Sequence, residues 1–313
     1  MNAPKRILVV RFRAIGDCVM AAWPITSIRE KYPDAWIAWA TEPACASVID
    51  HQALTQKIMR FPRDKWKRER YSLRTWQDQL NHYLRIRKFK FDVAIDFQGH
   101  SKTALLVRLS GAPVRVAVHA TDALSQRLNP VPIPRPKDTH WVDHHMKVIR
   151  TLDDFADVTL PLMPHSAVPE QLPESKFVTI CTGGSSAKKQ LSKEQWQAIA
   201  AKFVEAGFPV VTVGGPKDPA LQMDGVIDRV GAFSLRGSLE AIRASALHVA
   251  TDTGTGHIAA AVGTPVVSLF GPDELAVARY RPYTKRGVVL RGNGHPSDVD
   301  PQLIAESGLG LLC

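Results

Sequence analysis

Cysteine is sparse and unpaired in this chain: Cys18, Cys45, Cys181 and Cys313 are scattered along 313 residues without close spacing. That weighs against a zinc site or a disulfide framework and leaves plain reduced thiols. Long apolar runs are missing too. The longest, Ile258 to Phe270, contains Gly263 and Pro265 and falls short of the roughly 20 residues that a membrane-spanning helix requires. The N-terminus leads from Met1 to Arg6 straight into a strand-like run without the apolar segment of a secretory signal, so the chain is expected to stay in the cytoplasm. No Gly-x-Gly-x-x-Gly follows the first strand, and no Gly-Lys-Ser/Thr closes a Walker A loop. These absences lower the case for an NAD or FAD enzyme and for ATP hydrolysis. No Asp-x-Asp is taken as pointing to a divalent cation, so neither metal nor organic cofactor is expected.

What is present is a globular composition, 45% hydrophobic and 22% charged, which rules out a disordered chain. The length favours two domains. Short β-branched runs alternate with helical patterns, as in Arg6–Val10 followed by Val19–Glu30, or Phe91–Phe97 followed by Lys102–Leu109. The rhythm reads as βαβ units on a parallel sheet. Pro161, Pro164, Pro169 and Pro173 interrupt it, and the alternation then resumes from Phe177 to Phe270. We therefore expect an N-terminal domain over residues 1–165 and a C-terminal domain over 174–313, with ligands at the carboxyl ends of the strands.

The net charge of +10 favours an anionic partner. Between Lys57 and Lys90 twelve basic residues, among them Arg60, Arg63, Lys67 and Arg70, face only three acidic ones. A solvated basic face is the bland account; recognition of an acidic acceptor or an anionic membrane is the functional one. Trp66 and Trp76 in this segment fit either stacking on a ligand or packing. His144 and His145 have no matching ligand spacing elsewhere and read as structural.

Four loops at strand ends carry candidate chemistry. Asp17, in Arg11-Phe-Arg-Ala-Ile-Gly-Asp17, is either a helix cap or a general base. Asp252-Thr253-Gly254-Thr255-Gly256-His257 precedes an apolar helix whose first amides could hold a diphosphate, the alternative being a tight turn capped by Thr255 or Asp252. Thr182-Gly-Gly-Ser-Ser-Ala-Lys188-Lys189 is a second phosphate cradle or a solvated turn. Asp218, after Gly214-Gly-Pro-Lys, could accept from ribose hydroxyls or belong to the turn alone.

Together these segments resemble glycosyltransferase family 9, the lipopolysaccharide heptosyltransferases. The resemblance rests on Gly237-Ser-Leu-Glu through Asp252-Thr-Gly-Thr-Gly-His257 to Gly271-Pro272, on Ile7-Leu-Val-Val-Arg with Ile15-Gly-Asp17, and on Phe91-Asp-Val-Ala-Ile-Asp-Phe-Gln-Gly99. It implies a GT-B fold, two Rossmann-like domains facing across a cleft, with Asp17 as catalytic base in an acceptor domain. It implies a donor domain in which Lys189, or Lys188 beside it, binds diphosphate with Thr182, the Asp252 to His257 segment holds phosphate and sugar, and Asp218 meets the ribose. The expected activity is inverting, metal-independent transfer of heptose from ADP-heptose to the 3-deoxy-octulosonic acid (Kdo) region of the inner core. The expected partners are the nucleotide sugar and an anionic lipid-linked acceptor at the cytoplasmic face of the inner membrane, bound by Arg60, Arg63, Lys67 and Arg70, with no nucleic acid and the chain a monomer. The same fold with another nucleotide sugar, or a non-catalytic nucleotide- or nucleic-acid-binding protein, are the alternatives.

Overall fold

The computed structural model describes residues 3–129, 132–184 and 186–312; Ser185 of the second cradle and Cys313 lie outside the described residues. Its contacts divide the chain after Pro164 into two units.

In the first unit the strands are β1 (Arg6–Val10), β2 (Trp36–Thr41), β3 (Lys57–Arg60), β4 (Val93–Asp96), β5 (Val114–Val118) and β6 (Pro132–Ile133). They form one sheet in the order β3-β2-β1-β4-β5-β6, with every pairing parallel. The helices are α1 (Ile15–Lys31), α2 (Pro43–Ile49), α3 (Arg63–Arg68), α4 (Leu73–Arg85), α5 (Ser101–Leu109), α6 (Ala123–Leu128) and α7 (Trp141–Ile149). Leu8, Val9 and Val10 are wholly buried on both sheet faces, which explains why β1 is a continuous apolar run. Helix α1 begins at Ile15, four residues before the sequence pattern places it.

The second unit repeats the plan with β7 (Val178–Cys181), β8 (Val210–Val213), β9 (Val226–Asp228), β10 (Leu247–Thr251), β11 (Val266–Phe270) and β12 (Gly287–Arg291). The sheet order is β12-β11-β10-β7-β8-β9, again all parallel. Around it lie α8 (Lys193–Glu205), α9 (Leu235–Ala244), α10 (Gly254–Val262), α11 (Glu274–Tyr280) and α12 (Pro301–Gly310). Trp196, Ile199 and Phe203 of α8 and Ile304 of α12 close the core over Val178, Val249 and Val267. In both sheets the first strand of the unit sits where strand order reverses, the position at which open α/β sheets bind ligands.

Cys18 and Cys181 are buried, and burial pushes both thiols up, so they stay neutral. His144, His145 and His248 are also buried, and loss of hydration holds each neutral, with His144 and His248 pushed down to about 3. The unfolded chain therefore binds protons that the folded chain refuses between about pH 6.5 and pH 3. Stability is expected to fall as pH drops through that window, by about 1.4 kcal/mol per pH unit for each such histidine. Urea midpoints compared at about pH 7 and about pH 5 check this. A midpoint independent of pH there would contradict it.

Candidate active site

Asp17 lies in the first turn of α1, just beyond the carboxyl end of β1. Its Oδ2 accepts the Ala14 N–H at 2.9 Å and forms an ion pair with the Arg11 guanidinium. Arg11 is 7% exposed and donates through Nη1 to the Phe97 carbonyl at 2.5 Å. Its guanidinium also lies over the Trp141 ring at 5.9 Å. Both contacts to Asp17 fall on Oδ2, and 22% of that side chain faces solvent. Capping therefore engages one of the two oxygens and does not exhaust the carboxylate.

The loop around Asp17 is held from the neighbouring strand. Asp96, buried at the end of β4, accepts the N–H groups of Gln98 and Gly99 at 2.9 and 3.0 Å. Gln98 Oε1 then accepts the Phe12 N–H at 2.8 Å. Burial pushes the Asp96 carboxyl up, and those two amides oppose the shift. Gly99 has φ +74°, and a Cβ there would stand 2.2 Å from the His119 carbonyl, so only glycine fits this turn.

The basic segment is not one surface. Arg63 is tied to Glu42 at 3.0 Å and lies 5.1 Å from the Phe12 ring, so it braces the loop that carries Asp17. Arg60 pairs with Asp50 at 2.5 Å. Lys67 and Arg70 are exposed. Of the two tryptophans, Trp66 is a packing anchor whose Nε1 donates to Asp78 at 2.8 Å, whereas Trp76 is 63% exposed.

In the second unit, loops after the adjacent strands β10, β7 and β8 come together. Lys189 Nζ meets Asp252 Oδ2 at 2.5 Å, while Lys188 points to solvent. The adjacent lysines diverge because they lie on a 3-10 turn, Ala187–Lys189. Asp252 stands two residues before α10. Among the described residues, α8, α9, α11 and α12 each begin with a side chain accepting a first-turn N–H: Ser192, Ser234, Asp273 and Asp300. Helix α10 has no such side-chain cap; Thr253 Oγ1 instead contacts Thr255 Oγ1 at 3.0 Å. The turn capped by Thr255 or Asp252 is thus not what the structure shows, and among the described residues no side chain caps the first-turn amides at Gly254, Thr255 and Gly256. His257 is buried one turn further on, and Gly256 is confined by Ser268 and Pro282, with 3.3 and 3.5 Å left for a Cβ.

Thr182 requires a correction. It is fully buried, and its hydroxyl donates to the Pro219 carbonyl at 2.7 Å. It fastens the Gly214 to Asp218 turn and has no hydroxyl proton left to offer a phosphate. Asp218 Oδ2 accepts the Gly215 N–H at 2.6 Å, and a Cβ on Gly183 would stand 2.2 Å from that oxygen. Gly183 is therefore the residue that lets the acid reach into the loop after β7. Gly183→Ala should displace Asp218 and cost about 1.5 kcal/mol of stability, the low end for a charge-assisted bond because this one is exposed to solvent. If Asp218 meets the nucleotide, calorimetry will also show weaker ADP binding; unchanged affinity would remove Asp218 from the donor site.

The single Asp-x-Asp spacing in the chain, Asp298 to Asp300, is engaged with backbone. Asp298 accepts from Gly294 and His295 at 2.7 and 2.8 Å, and Asp300 caps α12. Arg11 and Gln98 are the residues that sequence reasoning missed as parts of this site. The only signal for Gln98 was its place in the Phe91 to Gly99 stretch.

Two parallel six-stranded α/β units, one with a carboxylate and one with an open helix N-terminus at the strand-order reversal, are the plan of the GT-B fold class. The sequence profile of glycosyltransferase family 9 (heptosyltransferase) matches residues 80–302. The chain belongs to that family. Lipopolysaccharide heptosyltransferase 1 of Pseudomonas aeruginosa is 24% identical, aligned over 85% of this chain and 79% of its own. The structure of Escherichia coli heptosyltransferase WaaC with ADP matches at a TM-score of 0.81 and 19% identity, covering 97% of this chain and 100% of that one. E. coli ADP-heptose lps heptosyltransferase II matches at 0.77 and 20%, with 98% of both chains covered. No helix among the described residues is long and apolar enough to cross a membrane.

Proposed function

We propose that this chain transfers heptose from ADP-heptose to the Kdo region of the lipopolysaccharide inner core, with inversion and without a metal ion. The observation that supports the donor half best is the uncapped N-terminus of α10 beside the Lys189–Asp252 pair. Free amides at a helix start carry partial positive charge and suit a diphosphate. In the relatives compared, WaaC is described with ADP and with ADP-2-deoxy-2-fluoro heptose.

In the proposed reaction the acceptor hydroxyl oxygen attacks the anomeric carbon as its proton passes to Asp17. The bond from that carbon to the ADP oxygen breaks, and ADP departs with the electron pair. Lys189 and the amides of residues 254–256 stabilise the growing charge on the diphosphate, which makes a divalent cation unnecessary. The acceptor side uses the first unit, with Lys67 and Arg70 meeting acidic groups directly and Arg60 and Arg63 doing so through partly occupied guanidinium groups. The enzyme works as a monomer at the cytoplasmic face of the inner membrane.

Incubation with ADP-heptose and a Kdo-terminated lipid should give a heptosylated lipid by mass spectrometry, and excess EDTA should leave the rate unchanged. Product formed only from a different nucleotide sugar would replace the donor assignment. Loss of activity in EDTA, restored by Mg²⁺ or Mn²⁺, would overturn the metal-free chemistry.

A further inference from the structure

Helix α4 is built inside out for a soluble protein. At about 100° per residue, Leu73, Trp76, Leu80 and Leu84 fall within about 80° of arc, and Thr75, Asp78 and His82 lie on the opposite side. It is the polar side that faces the protein. Thr75 donates to Glu69 at 2.9 Å, Asp78 accepts from Trp66 at 2.8 Å, and the His82 ring stands 5.2 Å from Trp66 and 5.7 Å from Phe61. The apolar side is left outside: Leu73 is 80% exposed, Trp76 63%, Leu80 57% and Leu84 53%, with Tyr71 at 85% just before the helix. Five of the eleven exposed large apolar side chains among the described residues lie in these fourteen positions, while the other six are dispersed. A contiguous patch of this kind marks an interaction surface, whereas isolated exposed leucines do not.

Charge selects the occupant. Arg74 and Arg85 are exposed on one flank of the stripe, with Lys67, Arg68 and Arg70 exposed ahead of it and Arg87 and Lys88 after it. The segment from Lys57 to Lys90 carries twelve basic residues against three acidic ones. A second copy of the chain would bring two such basic faces together, which like-charge repulsion opposes in any symmetric pair. An anionic bilayer surface satisfies both features, since it accepts apolar side chains at its headgroup boundary and attracts the flanking arginines.

We infer that α4 is an interfacial membrane anchor, which inserts Leu73, Trp76, Leu80 and Leu84 into an anionic leaflet while the surrounding basic residues hold the headgroups. The inference rests on the lipid-linked acceptor proposed above for its purpose, but its physics is separate. Charge alone would yield adsorption that salt abolishes; the apolar stripe adds binding that salt does not screen.

The test uses the full chain with phosphatidylcholine vesicles, with and without phosphatidylglycerol. The parent should sediment with the phosphatidylglycerol vesicles and retain part of that binding in high salt. Lipids brominated along the acyl chain should quench a component of tryptophan emission that is lost in Trp76→Phe. Leu80→Gln with Leu84→Gln should reduce vesicle binding by about 10-fold or more, with the unfolding midpoint and ADP affinity unchanged. Vesicle binding equal to the parent's, no quenching at Trp76, or a change from dimer to monomer in the double variant would overturn the inference. Vesicle binding without any heptosylated product would remove the acceptor reading and leave the anchor standing. Heptosylation of detergent-dispersed acceptor by a chain that ignores vesicles would do the reverse.

Discussion

Asp17→Asn is expected to fold and to bind ADP as the parent does, yet to lose about 100-fold or more of its kcat. The substitution separates the structural role of the carboxylate from the proposed catalytic one. The amide oxygen of asparagine can still accept the Ala14 N–H and a proton of the Arg11 guanidinium, so the start of α1 and the buried arginine keep their partner. What disappears is the negative charge that the proposed reaction needs to take up the acceptor proton. A 100-fold loss is about 2.7 kcal/mol of barrier, more than a first-turn acid near a helix terminus contributes to stability, about 0.3 to 1 kcal/mol. Asp17→Ala is the poorer test. It removes the carboxylate paired with Arg11 and leaves the buried guanidinium only the Phe97 carbonyl and the field of Asp96, a loss of up to about 3 to 5 kcal/mol that would confound turnover with unfolding. Parental kcat in a folded Asp17→Asn would leave Asp17 as a helix cap and dismiss it as the base.

Arg11 shows where sequence reading stops. An arginine directly after a strand reads as surface charge, and its burial is decided by Phe97 and Trp141, which are remote in the chain. The β1 run and the place of the Asp252 to His257 segment between a strand and a helix were legible, because each concentrates its signal in a few consecutive residues. The start of α1 was not, since Gly16 and Asp17 carry loop preferences that the contact from Ala14 overrides. Thr182 was misjudged for a related reason: a threonine after a strand offers a hydroxyl, and only the approach of Pro219 shows that it is already in use. The amphipathic pattern of α4 identifies a helix, but which face turns inward depends on Trp66 and Glu69, outside the helix itself.

The choice between Lys188 and Lys189 has the same character, and it leads to the second large effect. Adjacent residues on a 3-10 turn point about 120° apart, so composition alone cannot say which ammonium meets the diphosphate. The turn over Ala187–Lys189 directs Lys189 to Asp252 and Lys188 to solvent. Lys189→Ala should therefore weaken ADP binding by about 10-fold or more, because a charge-assisted contact with a diphosphate is worth about 1.5 to 3 kcal/mol. The lower part of that range applies, as 35% of the Lys189 side chain is exposed and Asp252 shares its charge. The same substitution should change stability by less than about 1 kcal/mol, the usual worth of a partly solvated ion pair. Lys188→Ala should alter neither quantity. Calorimetric titration of ADP into both variants, beside urea unfolding of each, makes the comparison. A loss confined to Lys188→Ala would mean that the loop turns when nucleotide binds and that Asp252 is the resting partner of Lys189 only.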